Sequence, residues 1–224
     1  MSPITFLCVT HERPQWMPWL IRQVKKFDSL ESHLVVVDSS EYRNKLFDLH
    51  PSERVTYLHH PDKPGIAVKR NIALAEVKTP LFAWFDDDDW SHPARIPACA
   101  YTLEADAGVC AAGSARGYKI NARTLKARLE RTVEPVIFNS AVYRTSYWQS
   151  VRFDERMPTG EDTEWQMRGF ALGGWAARTE SVFSSWLCHG DNITNSVNSL
   201  IFDVEAAELP MSLAELRKSP EYQG

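Results

Sequence analysis

The sequence predicts an α/β fold: one Rossmann-like domain with a mostly parallel mixed central sheet flanked by helices. Three observations carry that prediction. Short apolar runs alternate with helix-length stretches through the first half of the chain, the order that builds parallel sheets. The clearest run, Leu34-Val35-Val36-Val37, is continuous and β-branched, as in a strand buried on both faces. The runs also end in polar clusters, the position where open α/β sheets bind ligands.

In order, Ile4 to Val9 reads as a first strand, followed by the polar loop Thr10-His11-Glu12-Arg13-Pro14. Pro18 sits where a helix starts, and that helix should run to about Lys26. Leu34 to Val37 is the second strand and ends in Asp38-Ser39-Ser40; Val55 to His59 is the third. Gly65 opens a helix that carries Val68, Ile72 and Ala75 at core spacing and ends near Lys78, with Pro80 as its stop. Leu81 to Phe85 is the fourth strand, and Asp86-Asp87-Asp88-Asp89 follows it directly. The second half is less regular. Strands are expected over Val109 to Ala112 and Ile137 to Tyr143, and a helix over Asn121 to Arg131. A second helix over Thr163 to Leu172 is closed by Gly173-Gly174. Ala176 to Leu187 supplies one or two more strands, and the tail from Leu200 holds short helical patterns broken by Pro210 and Pro220.

The 224 residues, 44% of them hydrophobic, suffice for one well-cored domain, and no linker divides them. A net charge of -4 does not advertise nucleic-acid binding by the chain as a whole. The four cysteines, Cys8, Cys99, Cys110 and Cys188, form no C-x-x-C pair, so they read as reduced, packed thiols. The N-terminus lacks a basic region and its apolar run is too short for a signal peptide. No stretch reaches the roughly 18 apolar residues of a membrane span. The expected location is therefore cytoplasmic, and the sequon Asn192-Ile193-Thr194 carries little meaning there.

The acidic run is the strongest chemical signal. Four adjacent carboxylates repel one another and raise their own pKa values, a penalty that a bound cation removes. In an extended segment Asp86 and Asp88 project to one side and Asp87 and Asp89 to the other, so an alternating pair can meet a metal and a diphosphate. Hard oxygen ligands suit Mn²⁺ or Mg²⁺. The competing reading is a solvated acidic loop that caps the helix after Pro93, with Asp89 or Ser91 as the cap.

Several motifs in order resemble those of the family 2 glycosyltransferases of the GT-A fold. Phe6 to Pro14 is similar to the family's opening strand and loop, and Val35-Val36-Val37-Asp38-Ser39-Ser40 to its "V-V-D-D-G-S", without the second Asp and the Gly. Gly65-Ile66-Ala67-Val68-Lys69-Arg70-Asn71 resembles "G-x-x-x-A-R-N", with Lys69 for Ala. Phe85 to Asp89 resembles "L-D-x-D-D", Gly160-Glu161-Asp162 the "G-E-D" that bears the catalytic base, and His189 the late metal-holding histidine. The resemblance implies a single GT-A-type domain over the whole chain. Its nucleotide-sugar-binding half would cover about 1–92, its acceptor-binding half about 93–199, and a C-terminal tail about 200–224. It implies an inverting, metal-dependent transfer of a sugar from a nucleotide-diphosphate donor, a UDP-sugar above others. The absence of Q-x-x-R-W implies single-sugar addition. Thr10, Glu12, Arg13, Asp38, Lys69, Arg70, Asp86 and Asp87 would bind the donor. Asp86, Asp88 and His189 would hold the metal, and Asp162, with Glu161 beside it, would deprotonate the acceptor.

Two acceptor features come from the residues themselves. Trp90 and Trp165 adjoin the acidic motifs and are candidates to line the donor or acceptor pocket, with acceptor binding as the assigned role, while the other six tryptophans read as packing residues. Arg116, Lys119, Arg123, Lys126, Arg128 and Arg131 face only Glu130 within their segment. That excess points to an anionic acceptor held in part by Arg123 and Lys126: a phosphorylated glycan or lipid ahead of a nucleic acid. The competing reading is a solvated helix face. Two rival functions remain. A sugar-1-phosphate nucleotidyltransferase opens with a Gly-rich basic loop, and Thr10 to Pro14 contains no glycine. A non-catalytic nucleotide-sugar-binding module is expected to have lost its base or metal carboxylates, and neither set is lost.

Overall fold

A computed structural model describes residues 1–28, 30–49, 52–62, 64–121, 127–132, 134–189, 218 and 220. The chain opens with β1 (Ile4–Thr10), a 3₁₀ turn at Pro14–Trp16 and α1 (Met17–Lys25), then β2 (Ser32–Asp38), α2 (Lys45–Leu49) and β3 (Val55–His59). Next come α3 (Ile66–Ala75), β4 (Leu81–Trp84), β5 (Trp90–Ser91), α4 (Arg95–Ala105) and β6 (Val109–Ser114). The second half holds the hairpin β7 (Arg116–Asn121) and β8 (Ala127–Arg131), a 3₁₀ turn at Phe138–Ser140, β9 (Val142–Arg144) and α5 (Thr145–Trp148). It closes with α6 (Glu161–Ala171), β10 (Trp175–Thr179) and β11 (Ser184–Cys188).

Seven strands form the main sheet in the order β10-β6-β9-β4-β1-β2-β3, and a smaller sheet runs β5-β11-β7-β8. In the main sheet only β9 is antiparallel to its neighbours, so the expected mostly parallel mixed sheet is present. The continuous apolar strands are explained by burial on both faces. Phe6, Cys8, Leu34 and Val36 join one core with Trp19, Leu20, Ile96 and Leu103 of α1 and α4. Their neighbours Leu7, Val35 and Val37 join the opposite core with Ala73 and Leu74 of α3 and the aromatic group of Trp148, Phe153 and Trp165. There Phe153 and Trp165 stack with ring centroids 4.8 Å apart, a geometry that adds to simple area burial.

The first half follows the sequence reading except that α2 has no counterpart in it and α3 ends at Ala75, three residues short of the expected Lys78. The second half requires two corrections. The helix expected over Asn121 to Arg131 is instead the end of β7 and the strand β8, with residues 122–126 outside the described set. Arg116↔Arg131 to Ile120↔Ala127 pair antiparallel, and that long-range pairing overrides the good helix formers in the segment. The strand expected over Ile137 to Tyr143 is a 3₁₀ turn followed by the shorter β9. The tail patterns expected from Leu200 lie outside the described residues, apart from positions 218 and 220. No described helix is long and apolar enough to cross a membrane.

Candidate active site

The parallel register places the polar clusters side by side. Thr10 pairs with Asp38 at the carboxyl ends of β1 and β2, and Leu7 pairs with Trp84 at the end of β4. A cleft of about 980 Å³ opens there. From the first half it is lined by Thr10, Glu12, Arg13, Lys69, Arg70 and the four aspartates. From the second it is lined by Lys119, Glu130, Asn139, Glu161, Asp162 and Trp186, among others.

The acidic run does not continue as an extended strand. It closes a turn in which Asp89 N–H donates to the Asp86 carbonyl at 3.4 Å. This overturns the alternating arrangement: the side chains pair as Asp87 with Asp88 and as Asp86 with Asp89. Arg13 Nη1 reaches Asp87 Oδ1 at 3.0 Å and Asp88 Oδ2 at 2.7 Å, and Thr10 Oγ1 donates to Asp87 Oδ2 at 2.5 Å. Asn139 Nδ2 donates to Asp86 Oδ2 at 3.3 Å and also to Asp89 Oδ2. Burial, and then the neighbouring carboxylate charges, push Asp86 up to about 6 and Asp87 to about 7, against the pull of Arg70 and Arg13 respectively. Asp86 keeps 36% of its side chain exposed, so it is desolvated by the surrounding cleft walls while still open to a ligand. The loop therefore stores the charge crowding that a cation relieves. Asp87 and Asp88 are buried, and the N-cap of α4 is Ala94 without a side-chain cap, so the reading of a solvated loop that caps this helix through Asp89 or Ser91 does not hold.

His189 enters from β11. Its Nε2 lies 2.9 Å from Asp88 Oδ2, and its ring packs on buried Trp16 with centroids 4.6 Å apart. Among the described residues no three His, Cys, Asp or Glu side chains converge tightly enough to enclose a metal. Two do meet, Asp88 and His189; Asp88 and Asp86 line the cleft, and His189 is buried behind Asp88. That donor set fits Mg²⁺ or Mn²⁺ bound through one or two protein ligands together with substrate phosphates and water.

Arg70 of α3 ties the halves together. It is 4% exposed, its guanidinium lies 4.5 Å from the Phe138 ring centroid, and it reaches three carboxylates. Nη1 is 2.8 Å from Glu161 Oε1 and 3.9 Å from Asp162 Oδ2, and Nη2 is 4.0 Å from Asp86 Oδ1. Glu161 is buried in this pair, and burial raises its pKa despite the opposing pull of Arg70. Asp162 is 37% exposed at its side chain and lines the cleft. The N-cap of α6 is Gly160, whose φ of 72° suits glycine, so Asp162 lies inside the first helical turn rather than capping it. Asp162 Oδ1 accepts from Thr163 N–H at 2.7 Å.

The remaining expected donor residues divide into two groups. Thr10, Glu12, Arg13 and Lys69 line the cleft. Glu12 has a positive φ of 52° and its Oε1 accepts from Glu41 N–H at 2.7 Å, an unusual backbone state of the kind that gathers at functional sites. Lys69 Nζ donates to the Thr10 carbonyl at 2.9 Å and to Ser39 Oγ at 3.0 Å, bracing β1 against β2; burial lowers its pKa. Asp38 does not line the cleft. It is 3% exposed and accepts from Ser40 N–H, Ser40 Oγ and Tyr57 Oη at 2.8, 2.5 and 2.6 Å.

Trp90 and Trp165 do not serve as cleft walls. They are 1% and 0% exposed and belong to the two cores, because the strand and helix that carry them turn these rings inward. The basic segment is largely paired within the protein. Arg116 and Arg131 both reach Glu180, at 2.6 and 2.8 Å, Arg128 pairs with Glu130, and Lys119 Nζ lies 4.0 Å from Glu130. Arg123 and Lys126 lie outside the described residues. Asn139 and Trp186 were missed by sequence reasoning. Neither sits in a motif, and a loop asparagine or a strand tryptophan gives no sign of where the fold will aim it.

Comparison with known proteins agrees with this geometry. A family model described as glycosyl transferase family 2 matches residues 5–163. Comparison with curated proteins finds no match. Among solved structures, the chain superposes on S. aureus TarS 1–349 in complex with UDP-GlcNAc with a TM-score of 0.69 at 12% identity. That match covers 88% of this chain and 61% of that one. It is similar also to the mannosyltransferase PcManGT from Pyrobaculum calidifontis in complex with GDP-Man and Mn²⁺, with a TM-score of 0.65 at 16% identity. This second match covers 82% of this chain and 56% of that one. The chain thus spans less than two thirds of these neighbours, and 36% of a longer TarS structure.

Proposed function

Because the chain belongs to glycosyl transferase family 2, we propose that it moves a sugar from a nucleotide-diphosphate donor to an acceptor hydroxyl, with inversion at the anomeric carbon and with Mn²⁺ or Mg²⁺ as cofactor. One observation carries the reading. Arg70 links the acidic turn to the "G-E-D" helix end, 4.0 Å from Asp86 on one side and 3.9 Å from Asp162 on the other. A metal-side carboxylate and an exposed base candidate thus face one cleft across a single fixed guanidinium.

Residues up to about 92 hold the donor and those after it the acceptor. Arg13, Lys69 and Arg70 supply positive charge to the diphosphate, and Asp88 and His189, with Asp86, hold the cation. When bound, the cation acts as a Lewis acid on the departing nucleotide diphosphate. Asp162 accepts the acceptor hydroxyl's proton as that oxygen attacks the anomeric carbon. Glu161 keeps Arg70 in place between the two carboxylates. Asp38 acts indirectly, by fixing the Ser39-Ser40 turn against Tyr57 and the loop after β1. TarS complexes with UDP and with UDP-GlcNAc favour a uridine donor, and the GDP-Man of PcManGT makes guanosine the second choice.

The test is release of free nucleotide from UDP-, GDP- and dTDP-sugars with Mn²⁺, repeated with EDTA. Release from one donor class, abolished by chelation, is the expected result. No release from any donor would remove the transfer reading, and full activity in chelator would remove the metal.

A further inference from the structure

Trp186 is the one tryptophan whose side chain lines the cleft. Trp16, Trp19, Trp84, Trp90, Trp148 and Trp165 are all at most 2% exposed, and Trp175 is exposed but away from the cleft. On β11, Trp186 is only half-buried while Ser184, Ser185, Leu187 and Cys188 on either side are buried. Its ring lies over Gly117 of β7: a Cβ built there would meet the indole at 2.8 Å, so this position needs a residue without a side chain. Pairing sets its surroundings. Trp186 is opposite Lys119, and Gly117 is opposite Glu130. Alternation along β7 and β8 puts Gly117, Lys119, Arg128 and Glu130 on the face that carries the indole. A flat aromatic surface is thus bordered by an ammonium donor and a carboxylate acceptor, Lys119 and Glu130, and both reach the cleft.

We infer that this face is an acceptor subsite for a neutral pyranose ring. It deepens the glycosyl-transfer reading and rests on it for the word acceptor. An indole offers a broad face to the apolar C–H side of a sugar. The ring's hydroxyls, which both donate and accept, are met by a carboxylate and an ammonium at the rim. A neutral ligand leaves the existing ion pairs intact. Arg128 and Lys119 share Glu130, and Arg116 and Arg131 share Glu180, so each of these four cations already has a carboxylate partner within the protein. A polyanion would have to compete with those carboxylates.

The experiment follows the tryptophan side-chain N–H signals of the full chain by ¹H–¹⁵N NMR, with Trp186 assigned from Trp186→Phe. Neutral oligosaccharides built from glucose, galactose, mannose or N-acetylglucosamine are titrated, alongside a sugar phosphate. The Trp186 signal should move with at least one neutral saccharide while the buried tryptophan signals stay in place. Trp186→Ala should weaken that saccharide's affinity roughly tenfold, from the loss of one aromatic contact. Gly117→Ala, which keeps the indole but displaces it, should weaken binding as well. If the Trp186 signal responds to no saccharide, or only to the sugar phosphate, the neutral subsite is overturned. A saccharide response in a protein that releases nucleotide from no donor would leave the sugar subsite standing and remove the transfer reading instead.

Discussion

Replacing Asp162 with Asn tests the mechanism at its centre. The substitution keeps shape and keeps an oxygen for the Thr163 N–H, which now donates to Asp162 Oδ1 at 2.7 Å. It removes the ability to take a proton. The structural cost is small. The ion pair to Arg70 is long, 3.9 Å, with the Asp162 side chain 37% exposed, so after solvent screening it contributes less than about 1 kcal/mol. In a chain of this size that shifts Tm by about 2–4 °C at most. The chemical cost is large: loss of a general base lowers the rate about 10²- to 10⁴-fold, or roughly 3–5 kcal/mol of barrier. Glu161→Gln should behave in the opposite way. Glu161 is 4% exposed and 2.8 Å from Arg70, so the change leaves a buried guanidinium short of charge and costs about 1–3 kcal/mol of stability. Its effect on kcat should be smaller than that of Asp162→Asn. The assay is transfer or donor hydrolysis, with a nucleotide titration and a thermal melt on each variant. Near-normal kcat in Asp162→Asn together with a collapsed kcat in Glu161→Gln would show that the wrong carboxylate has been named. Normal kcat in both would refute the mechanism.

Asp88→Ala should reproduce the effect of EDTA, because it removes the carboxylate that meets His189; the check is loss of the Mn²⁺-induced rise in Tm measured with UDP present. Tyr57→Phe removes the 2.6 Å hydrogen bond to buried Asp38. It should cost about 1.5–3 kcal/mol in denaturant melts and weaken nucleotide binding through the displaced Ser39-Ser40 turn, and unchanged nucleotide affinity would separate Asp38 from donor recognition. Gly169→Ala places a Cβ 2.1 Å from the Trp148 ring; overpacking of this kind should destabilise by about 1–3 kcal/mol, and an unchanged Tm would show that the aromatic core yields freely.

The sequence by itself determined the parallel half of the fold and the position of the cleft. Runs such as Leu34 to Val37 are unbroken because they are buried on both faces, and short-range pattern is enough to reveal that. The ends of those strands then had to bring Thr10, Asp38 and the acidic run together, because parallel register aligns carboxyl ends. The resemblance carried by the motifs of residues 5–163 is matched by the family model. Tertiary structure alone decided which carboxylate faces which partner. The turn at Asp86 to Asp89 pairs side chains through Arg13 and Asn139, two residues distant in sequence that no periodicity points to. The same holds for β8, where pairing with β7 outweighed local helix preference, and for the tryptophans. Trp90 and Trp165 sit beside the acidic motifs in sequence and yet face the cores, while Trp186 reaches the cleft because Gly117, on another strand, leaves room for its ring. Local pattern reports how deeply a segment is buried; the direction a polar or aromatic side chain takes is set by long-range packing.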